Sequence, residues 1–130
     1  MWIAIFGYGL AALALATSLG MIVLGRRWQA IESTAYGGDR RPIWFWTAAA
    51  VLLTVWALAA AEFSASDRNW AGWTLIVGVP LVWAVKAAAL VFNPKGRRTV
   101  SGIDTDSAWR RIGLARLPIV IVLIALTALA

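Results

Sequence analysis

Neither cysteine nor histidine occurs among the 130 residues. Their absence excludes disulfides, thiolate-held zinc, iron–sulfur clusters and histidine-ligated haem within this chain. It also excludes catalytic dyads and triads built on either residue. Charge is scarce too: 14% of residues are Asp, Glu, Lys or Arg, where a soluble domain carries about a quarter. Phosphate-cradling sequences are missing, with no G-x-x-x-x-G-K-[ST] and no G-x-G-x-x-G after a strand. No cofactor and no metal site is expected.

What fills the chain instead is hydrocarbon. Sixty-two per cent of residues are hydrophobic, and they fall into four blocks separated by charged stretches bearing Gly or Pro. A bilayer core of about 30 Å takes roughly 20 apolar residues in a helix. Four such blocks and three connections use all 130 residues, so a single domain is expected. The fold class is an all-α membrane protein, a four-transmembrane-helix bundle. Its spans run over about 2–24, 43–61, 72–92 and 112–130. The first block lacks a basic leading region and is longer than a signal-peptide core, so it reads as a retained helix.

Punctuation supports these boundaries. Gly25-Arg26-Arg27 ends the first block, and Gly37-Gly38-Asp39 is a turn signal in the first connection. Pro42 stands where a helix start tolerates its missing N–H. Asn93-Pro94-Lys95-Gly96 closes the third block. The connections 26–42 and 94–111, taken with Arg116, hold ten of the twelve basic residues. The connection 62–70 holds only Arg68, against Glu62 and Asp67. The positive-inside rule places the two basic loops in the cytoplasm and both termini outside. The Ala/Gly/Arg-rich composition points to a bacterial source, hence a multi-pass protein of the inner membrane.

The last block needs a special arrangement, because only 14 residues run from Leu117 to Ala130. A short interfacial amphipathic helix is expected from Asp104 or Asp106 to Leu117, with Arg116 snorkelling back to the headgroups. Of nine tryptophans, Trp2, Trp28, Trp44, Trp46, Trp70, Trp73 and Trp109 fall near predicted helix ends, as an aromatic belt requires. Trp56 and Trp83 lie deeper.

The residue most open to a functional reading is Lys86. It stands seven residues before the expected end of the third span, about 10 Å deep at ~1.5 Å per residue. A charge there costs about 2.5–3.5 kcal/mol unless it finds a partner or a route to water. No carboxylate of the sequence is expected at that depth. The expected neighbours are hydroxyls: Thr17 and Ser18 of the first span, Thr47 and Thr54 of the second. Trp83, one turn away, offers its ring face. Pro80, a further turn away, frees the carbonyl of Ile76 and bends the helix. Pro80, Trp83 and Lys86 form one stripe, read either as an anion-attracting or partner-pairing site or as a lysine tilted to the headgroups beside a proline kink.

Ala12, Ala16 and Gly20 repeat at the four-residue spacing that lets helices approach closely. Lys95, Arg97, Arg98, Arg110 and Arg111 are placed to meet anionic lipid headgroups or simply to fix topology. Nucleic acid is not an expected partner, because these charges already face a membrane. Gly7-Tyr8-Gly9 has the letters of a potassium filter but lies within a span, not in a re-entrant loop. Two functional classes follow. One is an accessory or structural subunit of a larger membrane complex, without its own cofactor. The other is a homo-oligomeric channel or carrier with Lys86 lining an anion-favouring path. An enzyme is not expected, because Glu62, Asp67 and Tyr8 are the only grouping of acid–base residues.

Overall fold

A computed structural model of the chain describes residues 1–34, 41–90, 92–103 and 105–130. The expected turn at Gly37-Gly38-Asp39, and Arg40, Val91 and Asp104, lie outside the described residues. The helices are α1 (Trp2–Leu24), α2 (Trp28–Glu32), α3 (Ile43–Ser64), α4 (Trp70–Trp73), α5 (Val79–Leu90), α6 (Pro94–Ser101) and α7 (Asp106–Leu129). A single wide turn, Thr74–Gly78, joins α4 to α5 into one third span. Four of these segments are long and apolar enough to cross a membrane. The protein is a multi-pass, all-α bundle.

The bundle is built around one pair. Helices α1 and α7 run antiparallel and carry the most extensive contact between elements. Glycine makes that contact possible at both ends. A Cβ on Gly113 would lie 2.7 Å from the Ser18 carbonyl oxygen and 2.8 Å from Ile22, and one on Gly7 would fall on the Thr127 side chain. In lipid, apolar surface gains nothing by leaving its solvent, so close packing must supply the attraction. The stripe doing this is Gly7, Ala11 and Ser18, all buried, whereas Ala12 and Ala16 stand exposed and Gly20 is covered by the Trp28 ring. The expected Ala12–Ala16–Gly20 face therefore lies outside the α1–α7 contact.

Helix α3 and the third span join this pair near one end, where Phe6, Leu10, Ala59, Phe63, Leu75, Ile76 and Leu123 form the core. The two chain termini lie at that end. The Glu62 carboxylate accepts the Ile3 N–H at 2.7 Å and also pairs with the Met1 amino group. It thereby caps the amino end of α1, where helix N–H groups lack partners. Asn69 makes a second tie: its Oδ1 accepts the Gly72 N–H at 2.8 Å, and its Nδ2 donates to the Leu129 carbonyl at 2.6 Å. Removing both bonds in Asn69→Ala is expected to cost about 1–2 kcal/mol. Asn69→Asp, which keeps the cap, should cost less. Thermal unfolding in detergent measures the difference.

At the opposite end the connections carry the arginines. Gly25, with φ +56° in the left-handed region, ends α1, and a Cβ there would collide with the Asp106 carboxylate. That carboxylate accepts the Arg26 N–H at 2.7 Å and joins the end of α1 to the start of α7. Termini at one end and basic connections at the other agree with an even number of crossings.

The helices differ in places from those expected of the sequence. The fourth span begins at Asp106, not near residue 112, because Thr105 accepts the Ala108 N–H at 3.3 Å and starts a helix that runs unbroken through Pro118. The separate helix expected over 104–117 is thus the first part of α7. The short helix preceding the last span is instead α6, started by Asn93, whose side chain accepts the Lys95 N–H at 2.9 Å. Gly96 lets α6 turn tightly onto the end of α5, since a Cβ there would strike the Ala89 carbonyl. The third span runs from Trp70 to Leu90, starting two residues earlier than expected because Asn69 caps it.

Candidate functional site

Two cations stand within the spans on the side of the arginine-rich connections, Arg116 on α7 and Lys86 on α5. Arg116, on α7, does not turn back to the headgroups. Its guanidinium crosses to α1, where Nη2 donates to the Thr17 hydroxyl at 3.2 Å and Nη1 lies 3.6 Å from the Met21 sulfur. Thr17 in turn donates to the Leu13 carbonyl at 2.9 Å. The hydroxyl expected beside Lys86 thus serves Arg116. A thioether is a weak acceptor, so these two contacts hold Arg116 in place without themselves neutralising its charge.

Lys86 lies within electrostatic reach of both the Arg116 guanidinium and the Glu32 carboxylate. One correction follows. A carboxylate does stand near it, one that the sequence assigns to a loop. The break at Gly25 turns the chain so that the Trp28 ring packs 2.6 Å from where a Gly20 Cβ would be. The Trp28 indole N–H then donates to Glu32 at 2.7 Å and holds that carboxylate close to the bundle.

The other expected site residues are scattered. Ser18 is fully buried against Gly113, and its hydroxyl has no hydrogen-bond partner among the described residues. Thr47 and Thr54 are exposed and donate to the carbonyls of Ile43 and Ala50 on their own helix. Trp83 is exposed, and the ring contacts among the described residues are Phe45–Trp46 and Phe63–Trp73.

Pro80 acts through a residue the sequence leaves unexplained. The proline ring cannot donate to the turn before it and would clash with the Ile76 carbonyl in a straight helix. The helix widens at Thr74–Gly78, and the freed Ile76 carbonyl accepts the Trp56 indole N–H from α3 at 2.8 Å. Trp56 is thus an interhelical tie. Two tryptophans expected at the interface also work inside the chain. Trp109 is buried and donates to the Ile103 carbonyl at 2.8 Å, and Trp28 holds Glu32. Trp44, Trp46, Trp70 and Trp73 are exposed near helix ends, as a belt requires.

At the rim, Val23, Leu24, Arg26, Arg27, Asp106 and Arg110 line a depression of about 250 Å³. Arg110 donates to the Ile22 carbonyl at 3.3 Å, while Arg111, Lys95 and Arg98 are exposed. The side chain of Arg97 lies outside the described set. The gathering of Arg26 and Arg27 with Arg110 is invisible in the sequence, which places them in two distant connections. This end of the molecule attracts anions, and its cations outnumber its acids. Comparison with protein-family models, with curated proteins and with solved structures finds no match for this chain.

Proposed function

We propose that the chain is an accessory or structural transmembrane subunit of a larger complex in a bacterial inner membrane. In this reading its arginine-rich end faces the cytoplasm, it brings no cofactor of its own, and it performs no catalysis. The observation that carries the reading is how little its second and third spans bury. Only 6% of the apolar window of α3 and 11% of that of the third span are buried within the chain, against 28% for the first and fourth. Helices in lipid hold together by packing and hydrogen bonds, not by hydrophobic exclusion. Two spans that pack so sparingly on their own chain gain their order from neighbours. Anionic lipids at Lys95, Arg97, Arg98, Arg110 and Arg111 complete the surroundings in this reading.

A tagged copy expressed at its native level and purified in mild detergent should bring down other membrane proteins in fixed stoichiometry. A monomer purified alone contradicts the proposal. The second reading, a homo-oligomeric channel or carrier, is favoured by Lys86 standing exposed on α5. A path past it would run between copies. Liposomes containing only this protein are expected to show no anion flux. Flux abolished by Lys86→Ala would replace the first reading with the second.

A further inference from the structure

We propose that Arg26, Arg27 and Arg110 bind the headgroup phosphate of one anionic phospholipid in the depression between the end of α1 and the start of α7. The proposal rests on the lipid contact given above to Arg110 and narrows it to one cavity. It is independent of whether the chain has subunit neighbours.

Two hydrogen bonds shape the cavity. Asp106 and Arg110 stand four residues apart on α7 and so share a face. Asp106 Oδ1 accepts the Arg26 N–H at 2.7 Å, and Arg110 Nε donates to the Ile22 carbonyl at 3.3 Å. Together they fasten the chain from Ile22 to Arg26 against one turn of α7, and the left-handed turn at Gly25 lets it pass. Arg26, Arg27 and Arg110, with Asp106, Val23 and Leu24, then line a space of about 250 Å³. At about 30 Å³ per water molecule, that space admits a phosphate.

The lining selects the ligand. Bonding Ile22 through Nε leaves both Nη groups of Arg110 as donors. The guanidinium groups of Arg26 and Arg27 make no hydrogen bond or ion pair among the described residues. Asp106 is the carboxylate of the lining, and its Oδ1 is engaged by a backbone N–H, not by a guanidinium. Planar donor forks lining one space suit a phosphate better than any single point charge would. Val23 and Leu24 favour a lipid over a free ion. They are the last residues of α1, and Val23 is 73% exposed. The depression thus adjoins the lipid-facing surface of the first span, along which the acyl chains of a bound lipid can run. Basic pockets between membrane-spanning helices are a recurring seat for anionic headgroups.

Native mass spectrometry of the whole chain with phosphatidylglycerol and phosphatidylcholine tests the proposal. The wild type is expected to retain one phosphatidylglycerol in preference to phosphatidylcholine. Arg27→Gln and Arg110→Gln should each weaken that retention about fivefold, the contribution of one basic residue near a membrane surface. The Arg27 side chain has no bond within the described residues to lose, so its variant separates binding from folding. Arg111→Gln, beside Arg110 but outside the lining, should weaken retention less, and Arg68→Gln, in the opposite connection, should leave it unchanged. Equal losses in Arg110→Gln and Arg111→Gln overturn the cavity while the broader lipid contact survives. Wild-type retention in Arg27→Gln overturns the proposal too. Release of the lipid by millimolar inorganic phosphate overturns it in favour of a free-ion site. Equal retention of the two lipids by the wild type overturns both the cavity and the lipid contact at Arg110.

Discussion

Gly113→Ala is expected to destabilise the protein by about 1–3 kcal/mol, although it adds one methyl group to a helix. The added carbon would sit 2.7 Å from the Ser18 carbonyl oxygen and 3.0 Å from the Met21 Cβ. Both atoms are fixed to the α1 helix, so neither moves aside by a rotamer change. The helices must separate, and the contact that organises the bundle loosens along its length. Gly9→Ala supplies the control, because nothing lies within 4 Å of its added carbon. It should be neutral or slightly stabilising, since alanine favours helix by up to about 1 kcal/mol over glycine. Thermal unfolding of both variants in one detergent decides the point. Equal effects would show that glycine contributes only through helix propensity.

The second large effect is a coupling. Trp56→Phe keeps an aromatic ring but removes the donor at 2.8 Å from the Ile76 carbonyl. Membrane hydrogen bonds between helices contribute about 0.6–2 kcal/mol, and an orphaned carbonyl adds its own cost. A loss of about 1–2 kcal/mol is expected. In a Pro80→Ala background the backbone regains an N–H in that turn, so the same Trp56→Phe change should cost less by about 1 kcal/mol. A double-mutant cycle reads this difference directly. Additive losses would separate the tryptophan from the proline.

Hydropathy and charge make the crossings legible. Twenty-residue apolar runs and alternating basic loops are properties of composition, and the four long helices follow them. Helix caps are less visible. Asn93 is legible as a stop but not as the cap of a new helix, because one Asn-Pro pair can end one helix and open the next. Pro80 identifies the Ile76 carbonyl as freed. It does not identify the partner, since an indole N–H on another helix has no fixed spacing from it.

The polar site is half legible. Depth and charge single out Lys86 from sequence alone. Periodicity leaves Arg116 bent toward the headgroups, because it does not reveal that Thr17 stands level with it across the antiparallel pair. Glu32 escapes notice for a related reason. One backbone break at Gly25 folds the chain beyond α1 back toward the bundle, and only the positive φ of that glycine sets the direction. The signal available in the sequence is Gly25 itself, a residue suited to such a break. The small-residue stripe shows how fine the margin is: Ala12, Ala16 and Gly20 satisfy the four-residue pattern, yet Gly7, Ala11 and Ser18 carry the contact.

Sidedness is the most direct test, and the cysteine-free chain is suited to it, because each introduced thiol reports alone. Single variants Ser33→Cys, Ser66→Cys and Thr99→Cys are treated in sealed cells with a maleimide that cannot cross the membrane. With the arginine-rich connections in the cytoplasm, Ser66→Cys reacts at once, and Ser33→Cys and Thr99→Cys react only after the cells are opened. Labelling of either arginine-rich connection from outside, or protection of Ser66→Cys, would contradict that topology.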